Sequence, residues 1–131
     1  MAANSVQFTA VARWPVAQVS TANTNRDGTG TIVDIITGVA AGTRINKITV
    51  KAVGTTTAGM VRIYLFDGTN TRLYYESAVS AITAGASTKT FTEIILFNDS
   101  DAPILPSSSA KIQASTHNAE TFNIFVEGGD Y

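Results

Sequence analysis

The sequence predicts an all-β fold: an antiparallel β-sandwich with jelly-roll-like connections and about eight strands. Two observations indicate this fold. Short runs of β-branched and aromatic residues recur at spacings of roughly ten to fifteen residues, and clusters of Gly, Asn, Asp and Ser divide them. No run shows the capped apolar i, i+3, i+4 spacing of an amphipathic helix. A hydrophobic content of 44% is enough to build a core.

Length and composition narrow the possible functions. A chain of 131 residues is typical of one domain, here expected as an N-terminal arm or first strand over residues 1–14 and a sandwich over 15–131. A formal net charge of -1 predicts no nucleic-acid partner and no anionic membrane partner. The absence of cysteine excludes disulfides, thiolate catalysis and cysteine-ligated metals. No apolar run approaches the roughly 20 residues of a membrane span.

Nine runs are predicted as strands. Pro15 separates the first two runs, and because proline cannot donate to a ladder it marks a bend or an edge. The fourth run alternates most clearly, with Ile48, Val50 and Ala52 on one face, which predicts one buried and one wet side. The runs cover residues 6–12, 16–22, 31–36, 44–53, 60–66, 71–79, 88–97, 111–115 and 121–126.

The fifth run has two apolar-leaning faces, which predicts either a central strand or a strand whose outer face meets a partner. One face carries Val61, Ile63 and Leu65; the other carries Met60, Arg62, Tyr64 and Phe66. Asp67-Gly68 then predicts a hairpin turn, because both residues tolerate the positive φ of such turns. Phe91, Ile95 and Phe97 are the apolar positions of the seventh run. Inward positions are predicted in the other later runs at Leu73, Tyr75, Ile112, Ala114, Phe122, Ile124 and Val126.

The residue types that could carry catalysis do not form a recognisable set. His117 is the only histidine, and its surroundings, 116–120, are typical of a hairpin turn. Ser115 is close in sequence, but a triad also needs a nucleophile–base contact and an orienting acid. Asp27 precedes Gly28 and Thr29 in an order that differs from the Asp-Thr-Gly of aspartic proteases, so a glycine-rich loop is the favoured interpretation. We therefore expect no enzyme and no catalytic residues.

The acidic residues have ordinary interpretations as well. Asp99 and Asp101 flank Ser100 and could offer oxygens to Ca²⁺, but an Asn/Asp turn is the commoner explanation. Glu76 and Glu93 could form a glycosidase pair only if they faced each other, and surface alternation explains both. We expect no cofactor and no metal.

Five aromatic residues leave two interpretations open: a sugar-stacking platform, or core and subunit contacts, which are the commoner roles of such side chains. They are Trp14, Tyr64, Tyr74, Tyr75 and Tyr131. The low charged fraction of 15%, with Thr, Ser, Gly and Ala in its place, favours a surface that packs against copies of itself.

Three stretches together resemble small virion structural proteins of tailed bacteriophages and prophages. They are GTRINKI at 42–48, GMVRIYLFDG at 59–68 and ASTHNAETFN at 114–123, and the resemblance extends over roughly residues 30–131. It implies a capsid decoration (cement) protein, with a tail or fibre component as an alternative, and it brings no catalytic residues.

The resulting hypothesis is a virion protein that is assembled in the host bacterial cytoplasm. Its expected partners are copies of itself and the major capsid protein or other virion proteins. A carbohydrate-binding adhesion module is the rival binding function, and a hydrolase is the least favoured alternative. The candidate contact residues are Val6, Phe8, Trp14, Met60, Arg62, Tyr64, Phe66 and Tyr74.

Overall fold

A computed structural model describes residues 9–98 and 100–131. Within those residues the fold is all-β, with ten strands and no helix. The strands are β1 (Val11–Arg13), β2 (Val16–Val19), β3 (Val33–Thr37), β4 (Thr43–Ala52), β5 (Gly59–Phe66), β6 (Thr71–Val79), β7 (Thr92–Leu96), β8 (Ile104–Leu105), β9 (Lys111–Thr116) and β10 (Phe122–Asp130).

The strands form two antiparallel sheets that enclose one core. Sheet A has β10 and β4 at its centre, with β1 and β2 end to end on the free side of β10 and with β7 and β8 on the free side of β4. Sheet B has the order β3-β9-β5-β6. The chain passes repeatedly from one sheet to the other, which confirms the predicted sandwich class. This strand order is compatible with the predicted jelly-roll connections.

Period-2 alternation correctly located most of the core. Ile48, Val50 and Ala52 of β4 are buried, and the intervening residues of that strand are half-buried. The inward positions predicted on β5, β9 and β10 are also buried, apart from Leu65, which is half-buried against the core. The apolar side chains of the two sheets therefore meet in one layer, as the hydrophobic effect requires.

The prediction for Leu73 is wrong. A bulge in the β5–β6 ladder pairs Ile63 with Tyr75 and Tyr64 with Leu73, so Tyr74 is the extra residue. Because the extra residue reverses the alternation, Leu73 faces outward with Tyr64 and is 36% exposed. The structure also contains the short strand β8, which lies between the two predicted turns at 98–103 and 106–109.

The first described strand belongs to the chain's own sheet. Residues Val11 to Arg13 pair with Asp130 to Gly128 of β10. The Arg13 guanidinium lies 3.0 Å from the Asp130 carboxylate, which also accepts a hydrogen bond from the Thr43 hydroxyl at 2.7 Å. Val6 and Phe8 lie outside the described residues, so their contacts stay a prediction.

The end of β10 depends on a glycine, which gives a first test. A Cβ on Gly128 would lie 2.1 Å from the Arg44 carbonyl oxygen, at the bulge where β10 shifts register against β4. We expect Gly128→Ala to lower the free energy of unfolding by about 3 kcal/mol, because the clash is with backbone of a central strand.

Urea denaturation of wild type and variant measures that change. Gly54→Ala is the matched control, because a Cβ there meets nothing within 4 Å. Equal stability of the two variants would contradict the assigned β10–β4 contact.

Candidate interaction surface

The centre of the outer face of sheet B, around Arg62 and Tyr64 of β5, is covered by the chain itself. We call the covering segment, residues 20–31, the strap. Its centre is Asn23, whose amide N–H donates to the Thr116 carbonyl at 2.8 Å. The Asn23 side-chain amide donates to the carbonyls of Thr29 and Thr31 at 2.9 and 3.0 Å, which folds the strap into a compact loop. The strap is thus held both to β9 and to itself.

Arg62 lies beneath the strap and is only 1% exposed. Its Nε lies 3.0 Å from the Glu76 carboxylate, and one Nη donates to the Asn23 carbonyl at 3.3 Å. The other Nη lies 3.2 Å from Nδ1 of His117. Because a guanidinium can only donate, Nδ1 of His117 is the acceptor in this contact. Each side of the buried cation therefore has a partner.

Tyr64 is fully buried beside this cluster. Its hydroxyl donates to the Asn25 carbonyl of the strap at 2.9 Å. On the rim of the cluster, the Arg26 guanidinium lies 2.6 Å from the Glu76 carboxylate, and this contact, together with Arg62, holds the pKa of that carboxyl below its usual value. The strap, Tyr64 and the two ion pairs form one polar network.

The predicted contact face on β5 therefore needs correction. Arg62 and Tyr64 are buried within the chain, because the strap occupies the place that a partner was expected to take. Met60 and Phe66 at the two ends of the strand are half-buried. Of the two interpretations of β5, the central strand is the correct one, since β5 lies between β9 and β6.

His117 is a partner of Arg62 and does not contact Ser115 through a hydrogen bond. The Ser115 hydroxyl is buried and has no hydrogen-bond partner among the described residues. Asp27 is the acceptor of a turn: the Thr29 hydroxyl and amide both donate to its carboxylate and hold its pKa below the usual value. This supports the glycine-rich loop interpretation, and Gly28 and Gly30 both have positive φ.

The two strand glutamates lie on different sides of sheet B. Glu76 faces outward and joins the network of Arg62. Glu93 reaches from β7 to the inner side of β6, where it accepts hydrogen bonds from the Tyr75 hydroxyl at 3.1 Å and from the Ser77 hydroxyl. Burial, followed by the contact with Glu93, raises the pKa of Tyr75. The pair therefore does not flank a common cleft.

The candidate Ca²⁺ turn is organised by hydrogen bonds. The Asn98 side-chain oxygen accepts from the amides of Ser100 and Asp101 at 2.9 and 3.1 Å, and Asp101 accepts from the Asn98 amide. Asp99 lies outside the described residues. Among the described residues, no three His, Asp or Glu side chains are grouped as metal ligands would be.

The outer face of sheet A, in contrast, is not covered by any segment of residues 9–98 or 100–131. Its middle row crosses the sheet from Val16 through Phe125 and Thr49 to Ile94, which are direct cross-strand partners. On β10 and β4 the residues on both sides of this row pack into the core, so alternation places the row on the outside. Ile94 is 55% exposed and Val16 is exposed to a similar extent.

A second row lies beside the first. Glu127, Lys47 and Leu96 are cross-strand partners in it, and Leu96 is 73% exposed. The register of β1 and β2 against β10 is the same on both sides of Trp14, which places Trp14 opposite Glu127. Trp14 is 72% exposed, so an apolar side chain lies at each end of this row.

The third row is polar and internally bonded. Gln18 donates to the Asn123 side chain at 2.9 Å, and Lys51 donates to the Thr92 hydroxyl at 2.9 Å. We call the three rows together the sheet A face; it comprises Trp14, Glu127, Lys47, Leu96, Val16, Phe125, Thr49, Ile94, Gln18, Asn123, Lys51 and Thr92. An apolar centre with a polar margin is typical of a protein contact surface.

Of the predicted contact residues that the structure describes, only Trp14 lies on this face. Tyr74 is exposed at the β6 edge, with its ring 6.2 Å from that of Phe97. Sequence reasoning missed Ile94 and Leu96, although the run Ile94-Ile95-Leu96-Phe97 signals a strand that is apolar on both faces. The same pattern of two apolar faces was recognised on β5. There its outer face is buried under the strap, whereas on β7 the outer face is exposed.

No protein-family model matches the chain, and no curated protein matches it either. In the part of the chain that the structure describes, no helix has the length and apolar character needed to cross a membrane.

The Glu76 network predicts a pH dependence of stability. The pKa of Glu76 is lowered in the folded protein from its ordinary value of 4.5, so its contribution is complete above that value and is lost as the pH falls through the folded value. We expect wild type to be more stable than Glu76→Gln at neutral pH, with a difference that shrinks below about pH 4.5.

Thermal unfolding of both proteins across this pH range measures the difference. Glu127→Gln is the control, because its pairing with Lys47 at 3.5 Å is exposed and should contribute little. A stability difference between wild type and Glu76→Gln that does not change with pH would show that Glu76 contributes through packing and not through its charge.

Proposed function

We propose that this chain is a virion structural protein of a tailed bacteriophage or prophage, of the capsid decoration type. It acts through contacts with copies of itself and with the major capsid protein, and it takes its place in the virion after assembly in the bacterial cytoplasm. The observation that supports this proposal best is the sheet A face, where Val16, Phe125 and Ile94 lie in the middle row and Trp14 and Leu96 lie at the ends of the second row, with no described segment over them.

An open apolar sheet face is costly for a protein that works alone. Large exposed apolar patches on folded proteins usually mark a contact site, because water is released when a partner covers them. On this chain the strap covers the centre of the outer face of sheet B, whereas no described segment covers the sheet A face. The two faces of the described sandwich therefore differ, and the sheet A face is the one that we expect a partner to cover. A subunit of a symmetric shell needs such a face.

The charge balance supports the same function. With a net charge of -1 and 15% charged residues, many copies can lie side by side with little mutual repulsion. The resemblance of the stretches 42–48, 59–68 and 114–123 to small virion proteins is an independent reason for the proposal.

One observation favours a second candidate, a carbohydrate-binding adhesion module or a tail or fibre component. Trp14 exposes most of its ring system at the bend before Pro15, and aromatic faces of this kind stack on sugars as well as on proteins. Glycan binding that is lost in Trp14→Ala but kept in Tyr74→Ala would favour this candidate.

The decoration proposal predicts that the chain is present in particles. Phage particles from the strain that encodes the chain, purified by density gradient, should contain its peptides at a stoichiometry comparable to that of the major capsid protein. Quantitative mass spectrometry measures this ratio. Soluble proteins of the same lysate are the control for contamination.

Two outcomes would contradict the proposal in different ways. Absence of the chain from purified particles would exclude any virion role. A ratio of only a few copies per particle would favour the tail or fibre alternative, since decoration subunits cover the whole shell.

A further inference from the structure

We infer that the sheet A face binds the same face of a second copy, around a twofold axis that runs parallel to the strands and passes between β10 and β4. The inference deepens the proposed function, because it names a partner for the open face. It depends on the cross-strand register of the three rows and on the positions of their charges.

The axis direction determines which side chains meet. A twofold axis parallel to the strands exchanges β10 with β4, and β2 with β7, while each row stays at its own height. Val16 then packs on Ile94 of the other copy and Phe125 packs on Thr49. In the neighbouring row, Trp14 meets Leu96, so the two most exposed apolar side chains of the described surface cover each other.

The charges agree with the same axis. The exchange of β10 and β4 places Glu127 over Lys47 of the other copy, and Lys47 over the other Glu127, so the contact contains two opposite-charge pairs. Within one copy these residues are already 3.5 Å apart. The four charges together form an alternating square, which is a favourable arrangement for ions at the margin of a contact.

The other simple face-to-face arrangement is unfavourable. A twofold axis along the middle row would place each strand over the same strand of the other copy, and would place the second row over the third row. Lys47 would then lie over Lys51 of the other copy, and Leu96 would lie over the polar Thr92. Like charges brought together at an interface oppose association, so charge and apolar matching favour the same axis.

The size of the face sets the expected affinity. Strands lie about 4.8 Å apart, and alternate residues of one strand lie about 6.8 Å apart, so the three rows extend about 14 Å in each direction. A face of that extent covers about 200 Å² in projection, well below the roughly 800 Å² per partner that a standard specific interface buries, so the contact belongs to the weak, transient class. We therefore expect a reversible dimer whose population rises with protein concentration.

Sedimentation velocity of the purified protein over a series of concentrations tests the inference. Wild type should shift from monomer to dimer as its concentration rises. Leu96→Asp should raise the dimer dissociation constant at least tenfold, because it places a charge where Trp14 of the other copy is expected. Leu73→Asp is the matched control: it changes an exposed leucine on a strand of sheet B, and its dissociation constant should equal that of wild type.

Charge reversal identifies the axis. With the axis parallel to the strands, Lys47→Glu and Glu127→Lys should each weaken the dimer, and the double exchange should restore it. With the axis along the row, Lys47→Glu would instead strengthen the dimer, because Glu would face Lys51. Thermal unfolding of each variant shows whether the fold is intact.

The outcomes also separate this inference from the proposed function. A monomer at every concentration, or a dimer that Leu96→Asp leaves unchanged, would overturn the inference while the presence of the chain in particles remained. A dimer with the expected variant behaviour, formed by a chain that is absent from particles, would overturn only the proposed virion function.

Discussion

The difference between the two outer faces of this sandwich depends on the buried guanidinium of Arg62, because its hydrogen bonds hold the strap over sheet B. Moving a charge out of water costs several kcal/mol, about as much as a large part of a domain's net stability, unless every donor finds a partner. Glu76, the Asn23 carbonyl and His117 supply those partners, and one of them belongs to the strap. The strap is therefore held closed over Arg62 and Tyr64, so its own residues form the outer surface at the centre of sheet B, whereas no described segment covers the outer face of sheet A.

A sheet can also associate with another chain by pairing its edge strand with a strand of that chain. Two features of this protein disfavour such pairing at the edge formed by β6 and β7. The bulge at Tyr74 interrupts the regular spacing of donors and acceptors along β6, which discourages another strand from pairing there. Glu93 of β7 accepts hydrogen bonds from the hydroxyls of Tyr75 and Ser77 on β6, and these bonds connect the two sheets at this edge. Contact through a face is then favoured over contact through this edge.

The sequence predicted the core well because period-2 alternation is a local signal: Ile48, Val50 and Ala52 show it within a single strand. It did not predict that Arg62 and Tyr64 are buried, because their cover comes from residues about 40 positions earlier in the chain. A strand with two apolar-leaning faces is consistent with either a partner or a covering loop. β7 also has two apolar faces, but its outer residues Ile94 and Leu96 are exposed, since no described segment covers them. The local sequence of a strand therefore does not show whether its second apolar face is covered by the chain itself.

The small, reversible contact that we infer suits the proposed role as a subunit of a symmetric shell. When one face of each copy is held on a scaffold, a second contact becomes effectively intramolecular, and its effective concentration can reach the millimolar range. An interface that is only partly populated in dilute solution then forms readily once neighbouring copies are in place. A larger apolar face would hold nearly all copies as dimers in solution. The limited extent of the sheet A face, with charged residues within its rows, keeps the inferred dimer reversible, so that monomers stay available for the assembly that we propose.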